Sequence, residues 1–238
     1  MLEQFDAEKL NLTLLQLSSP ILPSFFPLIQ KQAEIKNFKK EEQPLKKISG
    51  SSSLYSLLHK MILRSPEEKL NEKLTAELVP LGEKVIKLLS EFNCRIFILK
   101  PWEKNSDIRI NDIAVNIPEA LASAGGGILD ERRGAYFDKY RLIVIGAEQI
   151  GNSYMSIHEA GHAFDHAFTA AHRRPKDLSL LLWNCFHKTR KRFITSYAGT
   201  NPREYFAESF TAFFGTDQNL LAECDPEMFN FFQEFFDA

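Results

Sequence analysis

The pattern of apolar and polar side chains changes character three times along this chain. Over residues 1 to about 50 no pattern persists: 10–17 is apolar, Pro20, Pro23 and Pro27 then interrupt any helix, and 31–47 is rich in Lys and Glu. Ser49-Gly50-Ser51-Ser52-Ser53 has the composition of a flexible connection. The expected division is an arm and linker over 1–53 and a folded domain over 54–238. The domain opens with helical patterning. Residues 54–63 are short and apolar, and Ser65-Pro66-Glu67-Glu68 reads as a helix start running toward Ser90, with a bend at Pro80. The pattern then turns strand-like at 95–100, 108–115, 135–138 and 141–145, and Gly125-Gly126-Gly127 reads as a hinge. From Ser153 it returns to helical spacing. Helices are expected over 153–171, over 177–193 through Leu178, Leu181, Leu182, Cys185 and Phe186, over 202–214 with Asn201 as cap and Pro202 in the first turn, and over 226–235. A few strands followed by helices is an α+β order, with a small mixed sheet ahead of a helical C-terminal half.

Composition narrows the class. The 238 residues suffice for a sizeable core, and 44 % hydrophobic with 25 % charged residues is ordinary for a globular protein. A net charge of -2 gives no reason to expect nucleic acid as a partner. The apolar runs are too short for stable membrane insertion. Three scattered cysteines, Cys94, Cys185 and Cys224, read as thiols and not as a disulfide framework. The first ten residues carry acid and no basic segment before an apolar run, so they do not read as a secretory signal. The 20 phenylalanines, many in the C-terminal third, read as core packing. The oligomeric state is not encoded in any of these numbers.

The chemistry concentrates in Ser156-Ile157-His158-Glu159-Ala160-Gly161-His162-Ala163-Phe164-Asp165. Residues four apart on a helix share a face, so His158 and His162 can hold one metal ion, for which zinc is the usual occupant. Glu159 adjoins the first imidazole, where a general base for a bound water must stand. Asp165 follows on the same face, placed to orient a ligand from behind. The flanks Tyr154, Met155, Ile157, Ala160, Gly161, Ala163, Phe164, Ala167 and Phe168 are largely apolar, so the helix is expected to be buried. Two His and a Glu inside an apolar helix are costly unless something satisfies them.

A third ligand is expected from Asn201-Pro-Arg-Glu204-Tyr-Phe-Ala-Glu208-Ser-Phe210, where Glu204 and Glu208 share one face. One would bind metal while the other braces a His; spacing does not choose between them. The competing reading is a solvated acidic face. Tyr197, just upstream, can donate a hydrogen bond to a developing oxyanion.

Taken together, the segments His158-Glu159-Ala-Gly-His162-Ala-Phe-Asp165 and Ser196-Tyr197-Ala-Gly-Thr-Asn-Pro-Arg-Glu204-Tyr-Phe-Ala-Glu208-Ser-Phe210 resemble the catalytic domain of the anthrax lethal factor family and the related Pro-Pro endopeptidases. The resemblance is specific over 153–215. It implies a zincin-like fold of the gluzincin type, zinc held by His158, His162 and Glu204, Glu159 as general base, Tyr197 as oxyanion donor, and Glu208 behind the ligands. It further implies a protein or peptide substrate and a secreted or delivered effector. An extended substrate is expected to pair beside the strand region 135–145 by main-chain hydrogen bonds. Two rivals stand beside a zinc endopeptidase. One is a catalytically silent binding module of the same fold, against which an intact Glu159 and Tyr197 count. The other is a structural zinc, which would require a fourth protein ligand. His166 is four residues after His162 but sits ahead of apolar Ala167-Phe168, as a core or surface His would; His59, His172 and His187 lack partner spacing.

Overall fold

A computed structural model describes residues 51–110, 113–114, 133–152, 154–174, 176–186 and 189–237. Of the expected arm and linker over 1–53, residues 1–50 lie outside the described residues, as does the Gly125–Gly127 hinge, and Ser51–Ser53 form the start of a helix. The order is α1 (Ser51–Met61), β1 (Ile62–Arg64), α2 (Glu68–Leu78), α3 (Gly82–Glu91), β2 (Arg95–Leu99), β3 (Arg109–Ile110), β4 (Ile113–Ala114), β5 (Gly134–Phe137), β6 (Leu142–Gly146), then α4 (Tyr154–Ala171), α5 (Leu178–Phe186), α6 (Pro202–Phe214), α7 (Gln218–Cys224) and α8 (Pro226–Asp237). No helix among the described residues is long and apolar enough to cross a membrane.

The main sheet runs β1-β2-β6-β5, and β3 pairs with β4 in a separate antiparallel hairpin. β1, β2 and β6 are parallel, with Ile96 opposite Ile143 and Ile98 opposite Ile145; β5 runs antiparallel to β6, with Gly134 opposite Ile145 and Phe137 opposite Leu142. The sheet is therefore mixed, as expected. The continuous apolar runs of β2 and β6 make sense because both faces are covered. Alternate residues divide between two cores. Ile96, Ile98, Ile143 and Ile145 face the large helical core, while Phe97, Leu99, Leu142 and Val144 face a smaller one closed by Ile108 and Phe137.

Several boundaries depart from the sequence expectation, each for a local reason. The first helix starts at Ser51 and ends at Met61, because Ile62–Arg64 leaves it to pair with β2. Ser65 does not cap α2: its hydroxyl donates to the Glu67 carbonyl (2.7 Å), and Glu67 takes the cap position. The expected bend at Pro80 is a break. A 3-10 turn over Val79–Leu81 ends at Gly82, whose φ of 78° is open to glycine and strained for other residues. The helix expected over 177–193 is described as α5 to Phe186, and Lys191 and Arg192 lie beyond it, their amides donating to the Cys224 carbonyl. The short α7 carried no clear pattern.

The motif helix α4 lies against α6 and is backed by the phenylalanines of the C-terminal region. Phe164 stacks on Phe206 and Phe210, and Phe232 meets Phe206, Phe210 and Phe213. Gly161 sets the spacing of the two helices. A Cβ there would lie 3.2 Å from Phe210 Cδ1 and 3.3 Å from Ala207 Cα. Glycine thus lets α4 approach the α6 backbone at the level where each helix carries its polar residues.

Candidate metal centre

α4 presents His158 and His162 one turn apart, with His158 and Glu159 buried in the apolar helix. α6 supplies the carboxylates. Its start is fixed by Asn201, whose side chain accepts hydrogen bonds from the amides of Arg203 (3.0 Å) and Glu204 (3.1 Å), with Pro202 in the first turn. Arg203 also reaches Asp138 (2.7 Å) and Asp177 (3.3 Å), fastening this helix end to the segments after β5 and before α5. Glu204 thereby sits in the first turn of α6, facing the imidazoles.

Three atoms converge. Nε2 of His158 and Nε2 of His162 are 3.2 Å apart, and Glu204 Oε2 lies 3.2 Å from the first and 3.3 Å from the second. Ligand atoms held about 2.0–2.1 Å from zinc at the tetrahedral angle stand roughly 3.3 Å from one another. The three edges match that figure. Glu204 Oε2 is moreover buried and makes no hydrogen bond, although it faces two nitrogen atoms. A buried acceptor without a donor is costly, and a cation among the three atoms would relieve it. His158, His162 and Glu204 are a group able to hold a metal ion, and the donor set suits a borderline divalent ion such as zinc.

Glu208 stands one turn further along α6, with its Oε1 3.0 Å from Nδ1 of His158, on the far side of the ring from Glu204. Glu208 is 2 % exposed and is held by two hydroxyls: Tyr154 donates to Oε1, and Thr195 donates to Oε2 at 2.7 Å. The carboxylates govern the protonation of His158. Burial opposes its charged form, but Glu204 and Glu208 outweigh burial and raise its pKa to about 9. Burial likewise opposes the charged form of Glu204, which the two imidazoles hold far below the usual carboxylate range. In Glu208 the pKa is lowered against burial by His158, Tyr154 and Thr195.

The remaining expected residues divide. Tyr197 lies in a 3-10 turn (Tyr197–Gly199), its ring 6.2 Å from the His158 ring and 41 % exposed, at the rim of the centre. Glu159 abuts the sheet: a Cβ on Gly134 of β5 would come within 3.2 Å of Glu159 Oε1. Asp165 is not brought to the imidazoles. Its Oδ1 accepts from the amide of Ser179 (2.9 Å) in the first turn of α5, so that carboxylate serves a helix start. His166 pairs with Tyr136 (2.8 Å) and packs edge-on against Phe92, away from the ligands. Sequence reasoning passed over Tyr154 and Thr195. The first read as an apolar flank, and a lone Thr in a loop carries no spacing signal.

A family model described as "Anthrax toxin lethal factor, N- and C-terminal domain" matches residues 56–235. The chain belongs to the anthrax toxin lethal factor family. Among solved structures it is similar to the Pro-Pro endopeptidase PPEP-2 from Paenibacillus alvei, with a TM-score of 0.54 and 17 % identity, over 76 % of this chain and 100 % of that one. At that identity the likeness establishes the fold, a zincin-like arrangement of mixed sheet and helical half. A search of curated proteins finds no match. The family agrees with the resemblance carried by the two motif segments, and this chain joins a metallopeptidase-like fold to a candidate His-His-Glu metal site.

Proposed function

We propose that this lethal factor family member is a zinc-dependent endopeptidase, with His158, His162 and Glu204 as ligands, Glu159 as general base and Tyr197 as oxyanion donor. The observation that carries this reading is the triangle of 3.2, 3.2 and 3.3 Å edges between three buried or half-buried ligand atoms, with Glu159 next in sequence to one of them. Zinc, when bound, supplies the Lewis acidity that lets water attack near neutral pH. Glu159 takes the proton from the attacking water and returns it to the leaving amine. The Tyr197 hydroxyl, at the exposed rim, donates to the carbonyl oxygen as it gains negative charge. Glu208 holds the His158 ring from behind, keeping Nε2 turned toward Glu204.

The substrate is a peptide lying extended along β5. Among the described residues β5 is an edge strand of the main sheet, so its outer backbone groups are free to pair with another strand. Gly134 brings that strand against Glu159, which supports binding of a peptide bond beside the base. The test is a peptide-library cleavage profile with metal content measured alongside. Cleavage removed by a chelator and restored by zinc is expected. The Glu159→Gln variant is expected to retain zinc and lose nearly all turnover. Undiminished cleavage by that variant removes the assigned base, and zinc binding without cleavage by the wild type favours a silent binding module.

A further inference from the structure

Thr195 occupies a junction that neither the motif nor the family description assigns. Its hydroxyl donates to Glu208 Oε2 (2.7 Å) and accepts from the amide of Ala198 (3.0 Å). One hydroxyl can do both, having one proton and two lone pairs. The first bond reaches the carboxylate whose other oxygen lies 3.0 Å from Nδ1 of His158. The second reaches the middle residue of the 3-10 turn that presents Tyr197. Two groups with separate tasks, an imidazole ligand and a rim phenol, are thus joined through one side chain.

The surroundings make the junction specific. Glu208 Oε1 is held by the hydroxyl of Tyr154, whose ring stacks on His158 at 5.9 Å. With Tyr154 on Oε1, the Thr195 hydroxyl is the donor to Oε2. The turn is braced from its other side, where Thr200 donates to the Tyr197 carbonyl (2.8 Å) and the Gly199 backbone lies against the Phe193 ring. Those contacts restrain the turn against its own neighbours. The Thr195–Ala198 bond fixes it to the metal centre.

We propose that Thr195 is a positioning residue that couples the orientation of His158, through Glu208, to the placement of Tyr197, through the Ala198 amide. This rests on the peptidase reading for its kinetic consequence, but its structural consequence stands apart. The test compares Thr195→Val, which keeps the shape and loses both bonds, with Thr195→Ser, which keeps the hydroxyl. Zinc affinity is measured by competition with a chromogenic chelator, and Ala198 amide exchange by NMR. kcat and KM are measured at saturating zinc on a peptide cleaved by the wild type. Thr195→Val is expected to weaken zinc binding about tenfold, in line with other losses behind a ligand. It is also expected to speed Ala198 exchange and to lower kcat while KM holds. Thr195→Ser restores all three. Thr195→Ala carries the same expectation as the valine variant and guards against a packing fault from its second methyl. Wild-type zinc affinity and Ala198 exchange in the hydroxyl-free variants overturn the proposal whatever the peptide result. Loss of the fold in both, with Thr195→Ser folded, also overturns it, because the role would then be stability and not placement. If the wild type cleaves nothing while affinity and exchange shift as expected, the peptidase reading fails and the coupling stands.

Discussion

Gly161 offers the sharpest test of how the metal centre is built. An alanine there places Cβ 3.2 Å from Phe210 Cδ1, 3.3 Å from Ala207 Cα and 3.4 Å from Phe210 Cβ. The Phe210 ring can turn, but Ala207 Cα is helix backbone, so α4 and α6 must part by a few tenths of an ångström. Gly161 lies between His158 and His162, and Ala207 lies between Glu204 and Glu208. The separation therefore falls on the edges from Glu204 Oε2 to the two imidazoles, now 3.2 and 3.3 Å. Metal sites tolerate ligand displacements of about 0.2 Å, so a loss of roughly tenfold in zinc affinity is expected, near 1.4 kcal/mol. The fold itself should be little affected. Alanine gains about 1 kcal/mol over glycine inside a helix, and crowding of this kind costs about 1–3 kcal/mol. Thermal unfolding of the metal-free and zinc-loaded forms, with chelator competition, separates the two effects. The variant should show a reduced zinc-induced rise in melting temperature and a metal-free melting temperature close to wild type. Unchanged zinc affinity would show that the helix spacing at Gly161 does not set the ligand triangle.

Other expectations follow from neighbouring contacts. Tyr197→Phe removes a donor at the rim and should lower kcat by about 10²-fold or more with KM little changed; wild-type kcat would take Tyr197 out of the chemistry. In the metal-free protein His158 has its pKa raised from 6.5 to about 9, so its stabilising contribution is complete below pH 6.5 and disappears as pH rises through 9. The metal-free melting temperature should fall across that window, and the zinc-loaded form, whose ligand ring carries no proton on Nε2, should not follow it; parallel curves would refute this. Glu77 accepts from the Ser156 hydroxyl (2.6 Å) and the Gly151 amide (2.5 Å) at the entry to α4. Glu77→Ala leaves both donors without that acceptor and should cost about 2–3 kcal/mol in denaturant unfolding; a loss below about 0.5 kcal/mol would show that water replaces the carboxylate.

What could be read from the sequence, and what could not, follows from the range of each interaction. The limits of α6 were legible to the residue, because Asn201 and Pro202 mark its start chemically. The pairing of His158 with His162 was legible because helix geometry alone places them together. Spacing did not choose Glu204 over Glu208 as the residue facing both imidazoles, since that depends on how two helices cross; only the family resemblance pointed to Glu204. Asp165 shows the same limit from the other side. Its spacing was right for the face, but the amide of Ser179, on another helix, claimed it. Tyr154 and Thr195 reach Glu208 across 54 and 13 residues, and no local pattern announces such contacts. The break at Gly82 was half visible, because Pro80 signals an interruption but not the positive φ at Gly82 that follows it.

The wall of phenylalanine rings behind α4 and α6 has a consequence for how the protein lives with its ion. Small zinc domains collapse when stripped, because the ion is their core. Here α4 and α6 are already joined by hydrocarbon, Phe164 on Phe206 and Phe210, so under the proposed zinc site the fold would not depend on the ion. If the peptidase reading holds, scarcity of zinc would idle this protein and leave it folded.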